Sequence, residues 1–165
     1  MEIIELIKDQ IQSVKEKTDS FIISTTEKDW NFTPQIIETN FNWQIGHIVL
    51  ANYLHGVASI SGVNEKVRAL INIPNFIKFY GINSNPNLYF DEKPNSEELI
   101  SQYEMIFELI FVKLNNLKIE DLEKNTEIPN PGAKTKYEAL TTLIKHQSWH
   151  NGQIAILKRL LGKDN

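Results

Sequence analysis

The chain of 165 residues contains no cysteine. That absence excludes disulfides, thiolate zinc sites and a cysteine nucleophile, so a metal centre must be built from histidine and carboxylate. It also fits a cytoplasmic protein. No apolar run approaches the roughly 18 residues of a membrane span, so no membrane association is expected. The opening MEIIELIKDQIQ breaks its isoleucines with charged residues, so it does not read as a signal peptide. Long basic blocks are missing as well: 17 Lys and Arg stand against 21 Asp and Glu, a net charge of -4. Nucleic-acid binding depends on neutralising phosphates, so nucleic acid is not an expected partner. Strand-like alternation, internal repeats and low-complexity tracts are absent too.

What is present is helical periodicity in an ordinary soluble composition, 41% hydrophobic and 23% charged, which suits one domain over residues 1–165. Ile3, Ile7, Ile11, Val14, Phe21 and Ile22 recur near the 3.6-residue spacing of a first helix. A second runs from about Trp43 to Ile60, with Asn42 as the expected N-cap and Gly62 beyond its end. A third starts near Ser96 and repeats Leu99, Tyr103, Ile106, Ile110, Leu114 and Leu117. The fourth opens with Thr135 and Glu138, the two members of a capping box, and ends at Gly162. Four amphipathic helices predict an all-α fold, a four-helix bundle with a long crossover between helices two and three. That crossover, residues 61–95, predicts short helices near 64–71 and 74–80. It either runs the length of a helix, leaving helices two and three parallel, or forms a lid. The second long link, 118–134, is expected to be exposed.

The chain has four histidines. Each helical residue advances about 100°, which turns His146 and His150 toward the apolar side marked by Leu140, Leu143, Ile154, Leu157 and Leu161. His47 falls on the inner stripe of helix two with Trp43, Leu50, Leu54 and Val57, and His55 falls about a quarter turn off it. An i, i+4 histidine pair brings two Cβ atoms to about 5–6 Å, and a third imidazole from a facing helix gives three protein ligands with one coordination position open. Hydrogen-bonded core histidines are the competing reading, and spacing alone leaves both open. Gln153, Trp43 and Trp149 are the expected neighbours of this site, beside the ligands or walling a substrate pocket. Two sharper motifs are excluded. Gln147 stands where a metalloprotease helix needs its glutamate, and no Glu-x-x-His pair suits a di-iron bundle.

NWQIGHIVLANYLHG (42–56) and LIKHQSWHNGQIAILKRLLG (143–162) resemble the DinB-like family, also known as the YfiT-like metal-dependent hydrolases. The matching positions are Trp43, Gly46, His47, His146, Trp149, His150, Gly152 and Gln153. The resemblance implies a four-helix bundle with the same long crossover, and a divalent metal, nickel or zinc, on His47, His146 and His150. It also implies a homodimer and, in some branches, a low-molecular-weight thiol as cofactor.

The expected function is that of a metal-dependent hydrolase or thiol S-transferase acting on a small molecule through the open coordination position. The rival is a non-catalytic metal-binding stress-response protein whose site is structural. Ile45, Ile48 and Val49 point away from His47 on helix two, and something has to cover them, either the crossover or the second subunit of a homodimer. Phe76, Phe79, Tyr80, Tyr89 and Phe90 are the expected apolar pocket wall.

Overall fold

A computed structural model describes residues 2–162. It shows the all-α fold expected from the sequence, with an isolated bridge between Asn125 and Thr135 and no β-strand among the described residues. Helix α1 (Ile3–Ile23) buries Ile4, Ile7, Ile11, Thr18 and Phe21, whose alternating spacing of three and four keeps one face inward once Val14 is included. Ile4 takes the inward place expected of Ile3, which is exposed.

Helix α2 (Phe41–Asn52) is capped by Asn40, whose side chain accepts the Trp43 N–H at 2.9 Å. The cap is thus two residues before the expected Asn42. That residue is buried instead, accepting the Tyr80 hydroxyl at 3.0 Å and donating to the Pro94 carbonyl at 3.1 Å. The helix continues through a π-helical segment (Tyr53–Ala58) into α3 (Ser59–Ser61) and stops at Gly62, whose φ of +82° suits a residue without Cβ.

The crossover holds α4 (Glu65–Leu70) and α5 (Ile73–Tyr80), close to the expected pieces. It packs as a brace on α2: Phe76, Phe79 and Tyr80 are core residues, so they do not wall a pocket, while Tyr89 and Phe90 are exposed. Lys93, buried and bonded to the Pro86 carbonyl at 2.7 Å, ties down its far end. Together α5 and α6 (Ser96–Asn116) cover α2, so Ile45, Ile48 and Val49 are buried within one chain. They do not require a second subunit.

Helix α6 starts in a capping box of Asn95 and Glu98 and buries the expected Leu99, Tyr103, Ile106, Ile110 and Leu114. Helix α7 (Lys136–Leu161) starts in the Thr135 and Glu138 box read from the sequence. The four long helices close a ring in the order α1, α7, α2, α6. Helices α1 and α7 run the same way, since Val14 meets Asn151 and Thr25 meets Lys158. Against them run α2 and α6: Gln44 pairs with Gln153 and Asn52 with Gln147, while Lys15 reaches Glu104 and Glu27 reaches Ser96. Helices α2 and α6 are therefore parallel, and the crossover spans the length of the ring.

Candidate metal centre

On α7, His146 and His150 stand one turn apart and face α2, where His47 occupies the opposing turn. Their Nε2 atoms converge: His146 Nε2 lies 3.2 Å from that of His47 and 3.3 Å from that of His150. Three nitrogens bound at 2.0–2.1 Å to one tetrahedral ion would lie about 3.3 Å apart; the two separations from His146 match that, and all three ligand atoms lie within 4.8 Å of one another. Among the described residues these three form the one group of histidine and acidic side chains able to hold a metal, and no carboxylate joins them.

The orientation of each ring has a local cause. His47 Nδ1 sits 2.6 Å from the Tyr80 backbone carbonyl. A carbonyl only accepts, so Nδ1 carries the proton and Nε2 is left with a lone pair. Gly46 makes this contact possible, since a Cβ there would stand 2.4 Å from the Tyr80 ring. His150 Nδ1 meets the Gln44 side-chain oxygen at 2.7 Å, which fixes the same tautomer. Two lone pairs thus point at a common centre from opposite helices. The third ring differs: His146 Nδ1 is buried without a hydrogen-bond partner. Burial pushes all three imidazoles toward the neutral, ligating form, His146 to about 4 and His150 to about 3, with neighbouring imidazoles lowering both further. His47 is lowered as well, by burial that outweighs its bond to Tyr80.

The sequence family described as the DinB superfamily matches residues 10–154. The chain belongs to the DinB superfamily. A solved structure similar to this superfamily member is that of a conserved protein from Enterococcus faecalis, with a TM-score of 0.67 and 16% identity, covering 97% of each chain. At that identity the likeness speaks for the fold. No curated protein matches in sequence.

Around the centre of this DinB superfamily chain, Trp43 stacks on His47 with ring centroids 4.8 Å apart and planes 9° apart. Its indole N–H donates to Ser84 at 2.7 Å. Beyond it lies a cleft of about 420 Å³ lined by Glu38, Trp43 and residues 82–87. Gln153 bonds to Gln44 and so stands one residue removed from His150. Trp149, expected in the core or in a pocket wall, is 71% exposed. On the wheel it lies just outside His146 and Gln153, beyond the edge that meets α2.

Sequence reasoning missed Gln44 and the Tyr80 carbonyl. It also misplaced His55, which is buried with its ring 6.2 Å from that of His146. The π-helical segment is the cause: each of its residues advances fewer degrees than in an α-helix, which returns His55 toward the stripe of His47.

Proposed function

We propose that this protein is a divalent-metal-dependent enzyme, a hydrolase or thiol S-transferase acting on a small molecule, with nickel or zinc held by His47, His146 and His150. The observation that carries the reading is the convergence of three Nε2 atoms, two of them with lone pairs fixed inward by Tyr80 and Gln44. A divalent ion on three neutral imidazoles keeps its full charge, and supplies the Lewis acidity that acidifies a bound water or thiol and polarises a carbonyl. The chain's own groups orient and shield. Gln44 and the Tyr80 carbonyl hold the tautomers, Trp43 covers one face of His47, and Gln153 steadies Gln44. His47 and His146 are only partly buried. With no carboxylate in the group, the reading leans toward activation by the metal itself.

The rival, a structural site in a stress-response protein, draws on one observation: the cleft beside Trp43 is not lined by the three imidazoles themselves. Metal analysis followed by ligand binding separates the two. An open site takes up a small thiol or hydroxamate when loaded with metal, and a His150→Ala variant does not. A loaded protein that binds its metal but rejects every such ligand favours the structural reading.

A further inference from the structure

His55 and the loop that covers it show a second, independent arrangement. Asn130 Oδ1 accepts the Gly132 backbone N–H at 2.9 Å, and a backbone N–H can only donate. The amide nitrogen of Asn130 is therefore turned inward, to His55 Nδ1 at 2.8 Å and Ser59 Oγ at 2.9 Å. An amide nitrogen also only donates, so His55 Nδ1 is the acceptor and the ring proton sits on Nε2. A surface loop thus dictates the tautomer of a buried imidazole.

That imidazole neighbours His146, whose Nδ1 is buried and unpartnered. At a centroid separation of 6.2 Å, nitrogens turned toward each other stand roughly 4 Å apart, and a small tilt of either ring brings them into hydrogen-bond reach. When His146 turns the Nε2 lone pair to a metal, its proton must move to Nδ1, and a ligating histidine needs an acceptor there. His55, in the tautomer set by Asn130, offers a second donor. When His146 carries its proton on Nε2 instead, Nδ1 becomes an acceptor that suits His55, and Nε2–H faces the lone pairs of His47 and His150. The run of donors from Asn130 through His55 to His146 therefore favours the metal-free form of His146.

We propose that Asn130 and His55 are a tautomer-setting pair that restrains metal binding by His146, making the 128–133 segment a regulator of metal affinity. The proposal rests on the metal reading above. The Asn130→Asp change keeps an acceptor for Gly132 but replaces the inward donor by a carboxylate, so His55 should move its proton to Nδ1 and present a lone pair toward His146. Zinc affinity, measured by chelator competition, should tighten by about tenfold. A new negative charge also attracts a cation through space, so the same change is made in a His55→Phe background, where no tightening is expected. Tightening that persists there overturns the proposal. In the metal-free protein, nitrogen–proton NMR spectra should place the His55 proton on Nε2 in the wild type and on Nδ1 in Asn130→Asp, and an unchanged tautomer overturns it equally. If Asn130→Asp fails to fold, Asn130→Ala removes the donor without adding charge and should tighten zinc by about threefold; unchanged or weaker binding then refutes the idea. Zinc bound equally by wild type and variants defeats this proposal alone, whereas a wild type that binds no zinc defeats the metal reading and this proposal together.

Discussion

Helix α7 carries two polar stripes side by side, His146 with His150 and Gln147 with Asn151, each pair one turn apart. The amide stripe faces α1, and each of its two amides both donates and accepts. Gln147 donates to Thr18 at 2.8 Å and accepts from Asn52 at 2.8 Å, while Asn151 accepts from Thr18 at 2.8 Å and donates to the Val14 carbonyl at 3.0 Å. The imidazole stripe faces α2 and is not so paired: the lone pairs of His47 and His150 converge on the one His146 Nε2, and His146 Nδ1 has no partner. Buried polar groups are normally paired, and a cluster that leaves acceptors converging is shaped for something the chain does not itself supply. The amides hold helices in register, and the imidazoles form the group that could hold an ion.

Four substitutions or conditions break this contrast, in descending order of effect. His150→Ala should abolish metal binding, read by metal analysis after dialysis, because two imidazoles leave too few ligands. Gln147→Ala should do the reverse: metal is retained, but stability in denaturant falls by about 3 kcal/mol, since Thr18 and Asn52 lose a buried partner and a cavity opens. Acid should act on the imidazole side. His55, His146 and His150 are held near 4, 4 and 3, below their ordinary value of 6.5, so in the metal-free protein the unfolded chain binds protons that the folded chain refuses. Stability is therefore full above pH 6.5 and declines as pH falls toward 4, and denaturation titrations at several pH values should show that slope, which His55→Phe makes shallower. Trp149→Ala should change stability by less than about 0.5 kcal/mol, because the ring is exposed; a larger change would mean that the outer face of α7 packs against another molecule.

Most of the fold was legible because its signals are local. The capping box at Thr135, the start of α6 near Ser96 and the stripes of α6 and α7 follow from spacing alone. The histidine triad was legible for the same reason, as an i, i+4 pair facing a third ring. What escaped depends on contacts between distant segments. The partner of His47 is the backbone carbonyl of Tyr80, and a carbonyl leaves no mark in a residue code. Asn40 and Asn42 are equally good caps on paper, and only the approach of Tyr80 and Pro94 decides that Asn42 is buried. His55 was misread because a wheel assumes 100° per residue throughout, and the π-helical segment does not comply.

The order of the ring has a consequence for how the molecule is made. His47 leaves the ribosome well before the last helix, and His150 follows it by 103 residues (150 − 47). At cellular rates of synthesis that interval is roughly 5 to 20 s. During it α1, α2 and α6 can associate, but the slot that α7 fills, between α1 and α2, stays exposed and the nascent chain displays only His47 of the three clustered imidazoles. On the proposed metal reading, capture would wait until the final helix docks. A chain stalled before α7 carries one-third of a chelating site, and would not hold a metal in the wrong fold.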